Sequence, residues 1–405
     1  MKRIYLDYAS LTPIDPRVLR VMKRYSSTEY ANPSSIYREG VAAKRAMNEG
    51  RAAVAGFIHA HTDEVVFTGG GTEANNIAIG GVLKVAWKRM NTGAAGRSAK
   101  PHLIISNIEH SSIMEMAHAA EKAGCEVTQL AVNQNGVVDV HELKKALKPE
   151  TVLVSIMTVN NEIGTIQPIR EIAKTIRQWR KGSNNQQPTT NYQLPTTKYP
   201  LLHTDAAQAA LCDELNVEKL GVDLMTLDSS KVYGPRGVGA LFVRRAVTDD
   251  GLIEPIMHGG GQERGLRSGT ENLPGIMGFA KALLLAGVNR ERECARLRQL
   301  KDSFLAGLVK MAPDPIVNPR TSATCAPHIL NVSIPGIDNE FFVLQLDAAG
   351  IAVSTKSSCL RDQDESYVLK AIGADSRTSV RFSFGRFTKK ADIKRVLGVI
   401  EALRE

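Results

Sequence analysis

The chain has 405 residues, 43% hydrophobic and 23% charged, the balance of a water-soluble globular protein long enough for two domains. No run of about 18 apolar residues points to a membrane span, and Met1-Lys-Arg-Ile-Tyr-Leu-Asp7 meets an acid too early for a signal peptide, so a cytoplasmic protein is expected. The net charge of +9 is spread along the chain, with a modest cluster from Lys84 to Lys100 that could favour an acidic protein or RNA partner but reads more readily as a solvated face.

From about residue 50, helical and strand patterns alternate. Residues 51–58 read as helix, 64–68 as strand, 72–89 as helix, 103–106 as strand and 113–123 as helix. Strand 126–130, helix 141–147, strand 152–157 and helix 168–180 follow. Such alternation predicts an α/β fold with a mainly parallel sheet covered on both faces, and sites at the carboxyl ends of its strands. Polar insertions at 91–100 and 181–198 interrupt the pattern. A second domain is expected from about Gly275, giving a division into 1–274 and 275–405. It holds a basic helix at 290–305, strand 329–334, helix 339–349, strands 352–354 and 379–383, and helix 390–403.

Two charges stand at the ends of apolar strand-like runs. Asp205 closes Tyr199-Pro-Leu-Leu-His-Thr-Asp205, and Lys231 follows the run at 223–227. Held together they suit one cofactor, the lysine joining pyridoxal phosphate and the aspartate pairing with its ring nitrogen; held apart they are surface charges. Gly69-Gly70-Gly71-Thr72-Glu73 sits between strand and helix, where free N–H groups can cradle a phosphate. The same residues suit a capping turn or a dinucleotide fingerprint, although the latter wants an acid about 20 residues on, where Arg89 and Asn91 stand. His110 ends a strand and can stack on a ring, shuttle protons or serve structure. Asn161 can bind substrate or simply form a turn. The loop 259–270, with Arg264 and Arg267 among five glycines, reads as anion-handling or interfacial. Arg381 in Ser379-Val-Arg-Phe-Ser383 matches a substrate carboxylate or a structural salt bridge.

The five cysteines form no CxxC pair, so free thiols are expected and a zinc knuckle is not. Cys359 is distinctive. It lies in Ser354-Thr-Lys-Ser-Ser-Cys359-Leu-Arg, where Lys356 and Arg361 favour the nucleophilic thiolate.

Taken in order, these segments resemble the cysteine desulfurases of the pyridoxal-phosphate fold-type I, class V aminotransferase group. Asn32-Pro-Ser-Ser35, Val159-Asn-Asn-Glu-Ile-Gly164, Lys231-Val-Tyr-Gly-Pro-Arg-Gly237 and Arg264-Gly-Leu-Arg-Ser-Gly-Thr270 carry the match over nearly the whole chain. The resemblance implies a large domain with a seven-stranded, mainly parallel sheet and a smaller α+β C-terminal domain carrying the catalytic loop. The first 15 or so residues would pack on that smaller domain. It implies pyridoxal 5'-phosphate bound through Lys231 and conversion of L-cysteine to L-alanine with a persulfide on Cys359. Lys231 would also move the α-proton, Asp205 would hold the ring nitrogen protonated, and Gln208 would bond the ring oxygen. His110 would stack on the ring. Gly71, Thr72 and Ser230 would hold the phosphate, with Thr270 from the other subunit of a homodimer. Asn161 and Arg381 would bind the substrate carboxylate, and a sulfur-acceptor protein of iron–sulfur assembly or tRNA thiolation would take the product. Related readings on the same fold are a selenocysteine lyase, a cysteine-sulfinate desulfinase, an aminotransferase, or a cofactor-poor binding homologue. Against the family pattern, Asp228 stands for a serine, Ser230 for a histidine, and the stretch after Cys359 is charged.

Overall fold

The computed structural model describes residues 3–91, 99–183, 198–311, 315–320, 325–355 and 365–403. Cys359, Lys356 and Arg361 lie outside the described residues, as do 92–98 and 184–197 of the two insertions.

A seven-stranded sheet organises the larger part. Its spatial order is Val65–Thr68, Gly239–Val243, Leu224–Asp228, Leu201–Asp205, Thr151–Ser155, His102–Ser106 and Glu126–Leu130. Only Gly239–Val243 runs antiparallel to its neighbours within this sheet; the remaining pairings are parallel. Alternate residues of the same strands enter two different cores. Val65, Phe67, Ile104 and Val154 face one, while Val66, Leu103, Ile105 and Leu153 face the other. A sheet buried on both faces needs strands apolar throughout, which is why Thr151-Val-Leu-Val-Ser155 is wholly buried.

A smaller antiparallel sheet, in the order Ser379–Ser383, Ile329–Ser333, Ile316–Asn318, builds a third core with helices Asn339–Ala348 and Lys390–Ala402. The start of the chain joins this part. Ile4–Tyr5 pairs in parallel with Ile351–Ala352, and Asp7 bridges to Ser383.

Several elements differ from the sequence reading, among them three of the longer helices. The helix expected at 51–58 begins at Arg38. Its inner face uses Gly40, Ala43, Ala46 and Gly50, residues too small to give a strong hydrophobic period. Those small residues let it lie close to another helix, because a Cβ on Gly50 would come within 3.0 Å of Ile276. That partner is Leu273–Met311, 39 residues where 290–305 was expected. Its first half, with Ile276, Phe279 and Leu283, enters the first core; Leu297, Phe304 and Leu308 enter the third. A helix apolar on successive faces shows little amphipathic period. Helix Pro16–Ser27 was not read at all, although Asp15 caps it by accepting from Arg17 N at 2.9 Å and proline opens it.

Candidate active site

Asp205 and Lys231 meet because their strands are neighbours. Leu201–Asp205 and Leu224–Asp228 run parallel, with Asp205 opposite Thr226, and the turn Ser229–Lys231 follows directly. Both charges therefore rise at the carboxyl edge of the sheet, where parallel α/β folds place their sites. They line one cavity of about 190 Å³, shared with Gly71, Thr72, Asn75, His110, Asn161, Gln208, Asp228 and Arg381.

Asp205 is fixed from two sides. Its Oδ1 accepts from Ala207 N at 3.0 Å and its Oδ2 from Asn75 Nδ2 at 2.8 Å. Asn75 gives a second bond to Ser112 Oγ at 2.9 Å. Ser112 in turn lies 2.8 Å from His110 Nδ1, which also accepts the Ser112 N–H at 3.1 Å. A ring nitrogen that accepts a backbone N–H carries no proton, so this geometry assigns the proton of neutral His110 to Nε2. One chain of hydrogen bonds thus joins carboxylate, amide, hydroxyl and imidazole. Beneath it, the Glu109 carboxyl is completely buried and accepts from Ser106 Oγ and from Met157 N at 3.0 Å. Burial pushes it up to about 8 despite these bonds, and the nearby Asp205 charge adds to the rise.

The lysine is held by the start of the chain. Lys231 Nζ donates to the Ala9 and Ser10 carbonyls. Gln208 Nε2 donates to the same Ala9 carbonyl at 2.7 Å. The N-terminal strand's pairing with Ile351–Ala352 is what brings these carbonyls to the site.

At the opposite side, helix Gly71–Asn91 points its N-terminus at the cavity. Gly70 has φ of 145° and so needs to be glycine. Gly71 is approached closely, since a Cβ there would stand 3.1 Å from Asp228 Oδ2. The Gly71 N–H is engaged by that carboxylate oxygen at 2.8 Å. Ser230 does not line the cavity; its hydroxyl and N–H donate to Asp228 Oδ1 at 2.6 and 2.7 Å.

Arg381 is 1% exposed. It donates to the Asn161 carbonyl at 2.8 Å and pairs with Asp7 at 2.7 Å, while its Nε has no hydrogen-bond partner among the described residues. Thr270 is exposed and is not among the residues lining this cavity. Its loop is anchored by Glu263, which forms a two-pronged pair with Arg51, both contacts at 2.6 Å, and accepts from Phe67 N at 2.8 Å.

Eight expected residues thus share one cavity: Gly71, Thr72, His110, Asn161, Asp205, Gln208, Lys231 and Arg381. Sequence reading missed Asn75, Ser112 and Asp7. Asn75 carried a signal, standing one helical turn beyond Gly71 and so on the same face of that helix.

The chain as a whole has known relatives. The model of the family described as aminotransferase class-V matches residues 4–183 and 192–396. A cysteine desulfurase IscS from Dictyoglomus turgidum is 40% identical over 412 residues, covering 100% of this chain and 95% of its own. A mitosomal cysteine desulfurase from Trachipleistophora hominis is 37% identical, covering 97% of this chain and 84% of its own. Among solved structures, a NifS-like protein superposes with a TM-score of 0.86 at 30% identity, covering 99% of both chains. SspA, solved in complex with cysteine, gives a TM-score of 0.77 at 30% identity over 95% of this chain and 100% of its own. The chain belongs to the class-V aminotransferase family, among its cysteine desulfurases.

Proposed function

We propose that this chain takes sulfur from L-cysteine with the help of pyridoxal 5'-phosphate, releases L-alanine, and carries the sulfur as a persulfide on Cys359. The observation that carries this reading is the shared cavity itself. An amine and a carboxylate on neighbouring strand ends face a glycine-opened helix N-terminus and a buried arginine. That set fits the cofactor: Lys231 for its aldehyde, Asp205 for its ring nitrogen, Gln208 for its ring oxygen, His110 beside the ring, and Gly71 and Thr72 for its phosphate. Ser230 and the partner subunit's Thr270 complete the phosphate site in a homodimer. When bound, the cofactor supplies an electron sink for cleavage at the substrate's carbons.

The chain's own residues supply the rest. Asn75 holds Asp205 by one carboxylate oxygen, which sets the direction of the other lone pairs. Lys231 leaves the Ala9 and Ser10 carbonyls and serves as the base at the α-carbon. Arg381, whose Nε–H is unpartnered among the described residues, and Asn161 hold the substrate carboxylate. The Cys359 thiolate takes the substrate sulfur, the carbon–sulfur electron pair stays with carbon, and protonation completes alanine. The acceptor is a protein of iron–sulfur assembly or a tRNA-thiolation relay.

The test is a pair of substrates. Cys359→Ala is expected to lose alanine formation from L-cysteine while retaining turnover of L-cysteine sulfinate, whose sulfur leaves without a thiol acceptor. Undiminished cysteine turnover in this variant contradicts the role of Cys359. Turnover of neither substrate by the unmodified protein loaded with pyridoxal phosphate contradicts the function.

A further inference from the structure

The donors that the cofactor phosphate needs are engaged by the protein's own anion. Asp228 Oδ2 takes the Gly71 N–H at 2.8 Å. Its Oδ1 takes the Ser230 N–H at 2.7 Å and the Ser230 hydroxyl at 2.6 Å. Asp228 lines the cavity, and its Oδ2 lies 3.6 Å from where a Cβ on Gly70 would stand. A second carboxylate stands at the same turn. Glu73 accepts from Gly69 N at 2.7 Å, but Arg267 neutralises it at 2.7 Å. Asp228 forms no salt bridge among the described residues. A helix N-terminus favours one anion, and two at the same donors repel strongly at this separation.

We propose that Asp228 is a built-in stand-in for the cofactor phosphate, holding the Gly71 and Ser230 donors until the phosphate displaces it. The inference rests on the cofactor reading above. The phosphate reaches Gly71 only after the Asp228 carboxylate turns away. This chain therefore holds its cofactor more weakly, and exchanges it more readily, than it would with a neutral residue at 228. Asparagine at this position keeps the shape and offers the phosphate an N–H donor. Serine offers a hydroxyl.

The experiment titrates cofactor-free protein with pyridoxal phosphate and, separately, with pyridoxal, which lacks the phosphate. Binding is read from the visible absorbance of the lysine-bound cofactor. Asp228→Asn and Asp228→Ser are each compared with the unmodified chain, after circular dichroism shows that they fold. Both are expected to lower the Kd for pyridoxal phosphate by at least about tenfold, with the Kd for pyridoxal unchanged. Equal Kd values for pyridoxal phosphate in all three proteins overturn the proposal. So does an equal gain for pyridoxal, because Asp228 would then act on the ring site. Absence of any visible band in all three proteins removes the Lys231 reading instead, and a band lost only on Lys231→Ala keeps the two failures distinct.

Discussion

Glu263 offers the sharpest test of what holds the site's outer loop. Its side chain is 1% exposed and that of Arg51 10%, and the two meet in a two-pronged contact at 2.6 Å. Glu263 also accepts from Phe67 N at 2.8 Å, and Arg51 lies 4.7 Å from the Phe67 ring centre. Glu263 and Arg264 both adopt left-handed backbone, with φ of 49° and 57°, which the anchoring bonds must enforce. Glu263→Gln preserves size and the bond to Phe67 but leaves the guanidinium buried without its counter-charge. Breaking one side of such a pair costs about 3–5 kcal/mol. The cost is expected in urea unfolding of the cofactor-loaded protein, followed by circular dichroism. Arg51→Met combined with Glu263→Gln removes the stranded charge and rests a thioether on Phe67, so the double variant is expected to recover at least half of the loss. A loss below about 1 kcal/mol in Glu263→Gln refutes the reasoning. So does a double variant as unstable as the two single losses combined.

Three further outcomes are expected. Lys231→Ala loses the visible absorbance of bound pyridoxal phosphate, and persistence of that band at the same wavelength would assign the linkage elsewhere. Arg381→Lys loses the fork that reaches both Asn161 and Asp7. Its KM for L-cysteine is expected to rise roughly 10- to 100-fold, with a smaller change in kcat, as for a lost charge-assisted bond; an unchanged KM contradicts the assignment. Glu109 has a pH signature. Its folded-state value is raised by burial from 4.5 to about 8, so the unfolded chain releases this proton at lower pH and stability falls as pH climbs between those values. Glu109→Gln lacks that loss, so its unfolding midpoint relative to the unmodified protein should improve between about pH 5 and pH 8. A pH-independent difference contradicts a buried, protonated Glu109.

The sequence made the large sheet legible because parallel strands buried on both faces are continuous apolar runs, as at Thr151–Ser155. Gly239–Val243 escaped because its glycine-rich approach hides a strand. The long helix Leu273–Met311 was read short because its first half is apolar all round. Asp205 and Lys231 were legible as charges ending apolar runs, a local pattern. Their supports were not, because Asn75 reaches Asp205 across 130 positions and Asp7 reaches Arg381 across 374. Asp228 is intermediate: its chemistry stood out in sequence, but only the fold brings it to the Gly71 N–H.

The most direct measurement follows the sulfur. Protein loaded with pyridoxal phosphate is given L-cysteine without a reductant, alanine is quantified, and the peptide containing Cys359 is weighed by mass spectrometry. The expected result is about one alanine per chain, with that peptide heavier by one sulfur atom and the added mass removed by dithiothreitol. Alanine formed at undiminished rate with the added sulfur on another cysteine, or with none on the protein, contradicts the assignment of Cys359 as the sulfur carrier.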